Sequence, residues 1–321
     1  MKLVTIARGS MGAPGGMIGD DVLDFGLAAS LVPAAGKVPA LVSEILREDS
    51  GGLESARRTL DEVRSSDSLT SRLKANGALA AAGALTYLAP VPRPWNCFSH
   101  GQSYHSHVRD FDPNAPRVKP KHPPTGFIKT NAAITGPGTS ITLPKGAPDM
   151  VDFEGEFCVV FGRECHNVSR DEAMNYIAGY TIINDVSGRN WVRFLRDPET
   201  SSMPTYHALN ILYKQFPGFC PMGPNITTKD EIPDYHDLRL VTRLNGELMQ
   251  DTLISELIWD IPELIEFYSK TLKFMPGDIM STGTPGGVGA GRTPPVYMKA
   301  GDHIAVTVDG IGTLENTIVS A

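Results

Sequence analysis

On an extended strand, residues two apart project from one face, so Glu154 and Glu156 in the run Asp152-Phe-Glu-Gly-Glu156 point at one spot. Two carboxylates side by side repel, and a divalent cation removes that cost. With Asp185, which comes later in Asn184-Asp185, they form an all-oxygen set with room left for water. Such a set suits a hard cation, Mg²⁺ or Mn²⁺ with Ca²⁺ also admissible, better than zinc. The competing reading is a solvated outer face, the ordinary meaning of an acidic alternating strand. The apolar continuation from Phe157 to Phe161 instead puts the pair at the mouth of a buried strand.

A second concentration of chemistry lies at residues 100 to 110, His-Gly-Gln-Ser-Tyr-His-Ser-His-Val-Arg-Asp, which hold three of the eight histidines. Two readings stay open. On a strand, His105 and His107 at i and i+2 would share a face and could bind zinc together, although no cysteine or further ligand nearby completes a tetrahedron. On a helical turn, His107 and Asp110 at i and i+3 would pair, the carboxylate orienting the imidazole for general-base work. The second is preferred. Cys97, Cys158, Cys165 and Cys220 show no C-x-x-C spacing and are expected to be free buried thiols.

The elements that must position these groups are legible in outline. After Gly162, Ser169 and Glu172 form a capping box ahead of Ala173, Tyr176 and Ile177, and a second apolar strand from Tyr180 to Ile183 ends at Asn184-Asp185. The expected unit is strand, helix, strand, returning Asp185 to the two glutamates. Asn245-Gly246 between alternating arms predicts a hairpin over residues 238 to 248 and beyond. Asp260 and Glu263 cap a helix whose Leu264, Ile265, Tyr268 and Leu272 face inward, with Pro276-Gly277 as the stop. Ile304, Val306 and Val308, the Asp309-Gly310 turn, and the segment from Ile311 to Val319 add antiparallel strand.

Residues 1–90 read as a small N-terminal α+β domain. It opens with strands at Leu3 to Ala7 and Val22 to Phe25, followed by two short helices, one carrying Ala56, Leu60 and Val63. The stretch Ala78 to Leu85 is alanine-rich, and Pro90, Pro92 and Pro94 punctuate a linker into a β-rich catalytic domain at 91–321. The first unit offers no clustered catalytic groups and is expected to pack or to support a dimer. The glycine run Gly283 to Gly291 contains Pro285 and lacks G-x-G-x-x-G spacing, so it is not a phosphate cradle.

Five motifs in order, Asp152 to Glu156, Gly179-Tyr-Thr-Ile-Ile-Asn-Asp-Val-Ser-Gly-Arg189, Pro221-Met-Gly-Pro224, Pro276-Gly-Asp278 and Thr282 to Gly289, resemble the fumarylacetoacetate hydrolase family. The resemblance covers about two thirds of the chain. It implies a mixed β-roll catalytic domain, a metal-dependent enzyme acting on β-dicarbonyl or 2-oxo acids, and a homodimer. Relatives often carry Asn-Tyr-x-x-His-x-x-Glu where this chain has Ser103, Tyr104, His107 and Asp110. The shorter acid at 110 needs a closer turn for the same hydrogen bond. Some longer members place a fourth ligand where His100 stands; His100 is kept out of the metal set here, as a surface histidine would serve equally well.

The resemblance further implies a catalytic Lys214, substrate contacts from Lys129 and Arg189, and a Thr284 hydroxyl directed at a substrate carboxylate or carbonyl. Arg189 could equally hold an internal carboxylate such as Glu172. Relatives commonly show Arg-Asp-x-Gln where this chain has Arg189-Asn-Trp-Val192, which suggests a bulkier or less polar acyl portion unless Trp191 packs in the core. The stretch Arg193 to Tyr213, with Tyr206 and His207, reads as part of a lid.

Of the 321 residues, 41% are hydrophobic and 20% charged, enough for one large domain and a smaller one. The net charge of −7 argues against a nucleic-acid surface, and no apolar run is long enough to span a membrane or precede a cleavage site. A cytoplasmic location and a small-molecule oxo acid partner are expected. The reaction expected is hydrolytic carbon–carbon cleavage of an acylpyruvate-type acid, with His107 activating water. A 2-oxo acid decarboxylase, hydratase or isomerase, or a non-catalytic ligand-binding protein, are the alternatives.

Overall fold

The Gly155–Phe161 strand is buried at every residue, and this continuous burial places it in the middle of a sheet with both faces covered. The computed structural model describes residues 1–146, 148–190 and 212–321. Among them, Gly155–Phe161 pairs antiparallel with Ile177–Asn184 on one side and with Ile279–Ser281 on the other. The first pairing sets Gly155 opposite Asn184, so the acidic ends of both strands meet. Beyond Ile177–Asn184 come Cys220–Thr228 and then Lys2–Ile6; beyond Ile279–Ser281 come Cys97–Gly101 and Thr125–Lys129. Ile279–Ser281 and Cys97–Gly101 run parallel, which makes the sheet mixed.

The expected strand–helix–strand unit is corrected. Residues 173–176 make a single 3-10 turn, and the two strands pair directly. The capping box does not form: the Ser169 hydroxyl donates to the Glu172 carboxylate at 3.4 Å instead of accepting a backbone N–H. The intervening chain is spent elsewhere. Cys165 exchanges both backbone hydrogen bonds with Phe274, and Asn167 and Val168 bond Ser269, which leaves no length for a helix.

Other local signals translate directly. Asn245 and Gly246 both take positive φ, 53° and 83°, as a two-residue hairpin loop requires, and join Arg239–Leu244 to Glu247–Leu253. Asp260 caps the Ile261–Ser269 helix by accepting from the Ile261 N–H at 2.8 Å, and Leu264, Ile265 and Tyr268 are buried. His303–Val308 and Gly312–Val319 pair antiparallel and complete a second, five-stranded sheet with the hairpin and Ser140–Thr142. In the first ninety residues the Gly52–Arg64 helix buries Ala56, Leu60 and Val63. The strands of that segment extend the main sheet through Leu3↔Ile226 pairing. Among the described residues, no helix is long and apolar enough to cross a membrane.

The second sheet closes onto the Gly155–Phe161 strand at Gly155. A Cβ there would lie 2.3 Å from Thr242 Oγ1 and 2.8 Å from Val306 Cγ1, both on the second sheet. Gly155→Ala is expected to cost roughly 1–3 kcal/mol by overpacking, read as a lower urea midpoint at unchanged m-value. An unshifted midpoint would mean that the sheets part there without cost.

Candidate metal centre

Glu154, Glu156 and Asp185 each offer a carboxylate oxygen within 4.8 Å of the other two. They are 5%, 1% and 1% exposed, which eliminates the solvated-face reading. Backbone pairing accounts for the convergence. Asp185 N–H donates to Glu154 O at 2.8 Å, and the Asn184 side chain accepts from Glu154 N at 2.9 Å, locking the two acidic segments together.

Cations surround the cluster. Lys214 Nζ donates to Glu154 Oε2 and to Asp185 Oδ2, both at 2.6 Å, and lies 5.3 Å and 5.5 Å from the ring centres of Phe127 and Tyr213. Lys129 Nζ donates to Asp185 Oδ1 at 2.7 Å, to Phe219 O at 3.0 Å and to Lys214 O. Its three donors are therefore used within the protein, and the substrate contact expected of Lys129 gives way to orientation of Asp185. Arg189 bonds Asp152 through Nε at 3.0 Å and Glu154 through Nη2 at 2.5 Å. Of the two readings for Arg189, the structure realises the internal pairing, with Asp152 and Glu154 in place of Glu172. Thr284 is likewise engaged: its hydroxyl donates to Gly155 O at 3.0 Å and accepts from Gln250 at 2.7 Å.

Four buried carboxylates, Asp152, Glu154, Glu156 and Asp185, thus face three cations, the buried Lys129 and Lys214 and the partly buried Arg189. With all four ionised one negative charge would be left over, and Glu156 carries the consequence. Burial pushes its carboxyl well above the usual range, and the neighbouring Asp185 and Glu154 charges push it further. Ser281 is its hydrogen-bond donor among the described residues. Burial also raises Glu154, yet Lys214, Arg189 and His107 together hold it down at about 2. A buried, all-oxygen set with an uncompensated charge fits a hard divalent cation.

His107 and Asp110 lie on the short His105–Phe111 helix. On a helix, i and i+2 do not share a face, so the His105/His107 zinc pair is excluded. His107 Nδ1 sits 3.4 Å from Asp110 Oδ2, a long contact that reflects the shorter acid. Asp110 is held more closely by the Gly287 N–H, at 2.9 Å and 3.1 Å to its two oxygens. The glycine-rich loop accordingly spends its N–H groups on protein side chains: Ser106 accepts from Gly286, and Asp152 accepts from Gly289 at 2.7 Å and Ala290 at 3.0 Å.

His100 is not a surface residue. It is 2% exposed, its Nδ1 lies 2.7 Å from both Thr125 O and Tyr268 Oη, and it stays outside the carboxylate cluster. Burial lowers its pKa to about 4, against a smaller raising effect from Thr125. The folded state therefore keeps His100 neutral while the unfolded chain takes up a proton below about pH 6.5. Stability is complete above that pH and declines as pH falls toward 4. Between pH 7 and 4.5, wild type is expected to lose roughly 2–3 kcal/mol more than His100→Gln in urea unfolding. Equal losses would place the histidine's neutral form outside the folding balance.

Sequence reasoning missed Gln250, whose side chain accepts from Gly155 N at 3.0 Å and donates to Thr284 and to Pro285 O at 2.8 Å, clipping the acidic run to the glycine-rich loop. The available signal was a glutamine at an inward position of the hairpin arm. Asp152, at the head of the acidic run, is the anchor of Arg189 and of that loop. Trp191, Val192, Tyr206, His207 and most of the expected lid fall outside the described residues. All four cysteines are free and buried.

Comparison with known proteins now places this geometry. Residues 96–319 match the family model described as fumarylacetoacetate (FAA) hydrolase C-terminal. An uncharacterized protein of Staphylococcus epidermidis is 37% identical over 234 residues, 73% of this chain and 72% of its own length. The crystal structure of maleylpyruvate hydrolase from Sphingobium sp. SYK-6 in complex with manganese(II) ion and pyruvate is 25% identical with a TM-score of 0.70, over the whole of both chains. That of 5-carboxymethyl-2-hydroxymuconate delta-isomerase from Mycobacterium smegmatis is 29% identical with a TM-score of 0.68, again over the whole of both. With some seven-tenths of its length inside the family model and a β-rich mixed-sheet fold in common with these structures, the chain belongs to the fumarylacetoacetate hydrolase family.

Proposed function

We propose that the protein is a metal-dependent hydrolase that cleaves a carbon–carbon bond of an acylpyruvate-type 2-oxo acid or related β-diketone. The observation that carries this reading is the buried triad Glu154, Glu156 and Asp185, in which burial and the two acidic neighbours push the Glu156 carboxyl well above the usual range. A divalent cation bound by these three supplies Lewis acidity to the oxygens of an oxo acid and turns the local balance from −1 to +1, which a substrate monoanion matches. Mg²⁺ and Mn²⁺ suit the donor set, and the manganese in the maleylpyruvate hydrolase complex is consistent with that choice.

The chain's own residues supply the proton chemistry. With Nδ1–H directed at Asp110, His107 Nε2 is the free base. Nε2 takes a proton from water, and the oxygen of that water bonds to the acyl carbonyl carbon. The carbon–carbon bond then breaks, its electron pair passing into the enolate of the 2-oxo acid fragment. Lys214 contributes positive charge near that enolate. Protonated Nε2 returns its proton to the enolate carbon, so one water is consumed and two acids form. A cytoplasmic homodimer belongs to the same proposal, on the family resemblance.

A second reading rests on the long His107–Asp110 contact and the delta-isomerase neighbour: the same base could move a proton within a 2-oxo acid without admitting water. Incubation of metal-stripped protein with a panel of acylpyruvates, followed by Mg²⁺ or Mn²⁺, tests the proposal through loss of enol absorbance with products identified by mass. Two acids appearing only with metal support hydrolysis. An isomer of unchanged mass, or released CO₂, would overturn it.

A further inference from the structure

Between the N-terminal helices, the Ile177–Asn184 strand and residues 228–235 lies a cleft of about 620 Å³, within the range of small-molecule sites and sharing no lining residue with the candidate metal centre. Its wall is aromatic, built from Tyr176, Tyr180 and Tyr235 with Met174 beside them. Two ion pairs tie its rims across the junction, Arg163 to Glu48 and Arg57 to Asp230.

Two groups in the lining are unspent. Tyr180 is 1% exposed, and its ring is fixed by stacking on Phe157 with centroids 5.2 Å apart; among the described residues its hydroxyl has no hydrogen-bond partner. Lys229 donates to Met174 O at 2.6 Å, yet no carboxylate lies within ion-pair distance of it among the described residues. Its ammonium is disfavoured by burial and by the nearby Arg163 guanidinium, whose own charge is already paired. An anion on Lys229 would offset both effects, and a flat apolar body would fill the tyrosine-lined space. Asp234, the lining carboxylate whose charge reaches the Tyr180 hydroxyl, is itself engaged by His236 at 2.7 Å.

We propose that this cleft is a second small-molecule site, which takes a planar aromatic monocarboxylate with its carboxylate on Lys229, a hydrogen bond to the Tyr180 hydroxyl and its ring against the tyrosine wall. The site is separate from the metal centre, and the strand that carries Tyr180 continues to Asn184, beside Asp185.

Naphthalene-2-carboxylate is the probe, titrated calorimetrically into the full-length protein in the presence of Mg²⁺. Saturable binding of one molecule per chain is expected. Lys229→Met should weaken it about tenfold and Tyr180→Phe a few-fold, while the neutral isostere 2-naphthalenemethanol should bind about tenfold more weakly than the acid. Tyr180→Phe keeps the ring and its stacking, so it reports the hydroxyl even if Lys229→Met disturbs the fold, which circular dichroism and Tm would show. Glu154→Gln should leave the affinity unchanged. Non-saturable binding, affinity equal to wild type in both cleft variants, or affinity lost in Glu154→Gln but kept in Lys229→Met would each overturn the proposal.

Discussion

Glu156→Gln is expected to abolish turnover while leaving the metal-free protein as stable as wild type, or more so. Glu156 is the member of the triad that bears the uncompensated charge, being buried, beside Asp185 and Glu154, and served by Ser281 alone among the described donors. The amide keeps an acceptor for the Ser281 hydroxyl and nearly the same volume, and it removes the repulsion that pushes the carboxyl up. It also removes one of three metal-binding oxygens, so metal affinity should fall by roughly 100-fold or more. Differential scanning fluorimetry with and without Mn²⁺ separates the two effects. Wild type should gain Tm with metal by mass action, whereas Glu156→Gln should show no gain and an undiminished metal-free Tm. Full activity in this variant would refute the metal assignment, and a collapsed metal-free Tm would mean that the carboxylate is needed for the fold.

The second large effect is expected from His107→Ala, with kcat reduced about 10²- to 10⁴-fold, the usual contribution of a positioned base, at unchanged metal affinity. His107 touches none of the backbone that gathers the carboxylates, so the Mn²⁺-induced Tm gain should persist. The distinction matters because His107, when protonated, also helps hold Glu154 in its ionised form. Were that its main contribution, the variant would lose metal affinity and retain kcat at saturating Mn²⁺. Asp110→Asn should have a smaller effect, since the long contact to His107 and the firmer hold by Gly287 make Asp110 as much a loop anchor as an orienting group.

The parts of the site legible in the sequence were those set by short-range geometry. Glu154 and Glu156 flank Gly155, where the strand begins, and Asp185 arrives because the returning strand pairs antiparallel with Asn184 opposite Gly155. The Asn245-Gly246 hairpin and the Asp260 cap were legible for the same reason: each depends on a few adjacent residues. What was not legible depends on contacts across the chain. Lys129 reaches Asp185 over 56 positions and Lys214 reaches Glu154 over 60, and nothing local to either lysine records that its charge is used inside the protein. Arg189 and Thr284 follow suit, each engaged by partners that no spacing rule links to it. The helix expected after Ser169 failed because tertiary pairing of Cys165 with Phe274 consumed the segment, and a capping pattern carries no information about that competition.

A common thread joins these contacts. The three cations nearest the acidic cluster orient its carboxylates, while Gln250 and Asp152 fasten the glycine-rich loop to the same run of chain. The acidic run is therefore held on several sides before any ligand arrives, an arrangement that fixes donor oxygens in place at a cost in charge repulsion. That repulsion is what a divalent cation would relieve.

The central claim, that water adds across a carbon–carbon bond, is tested most directly by running the reaction with an acylpyruvate and Mg²⁺ in ¹⁸O-labelled water and weighing the products. Hydrolysis as proposed puts one labelled oxygen into the carboxylate of the released acyl fragment and leaves pyruvate's carboxylate unlabelled. Product formed without cleavage, or an acyl fragment free of label, would contradict it.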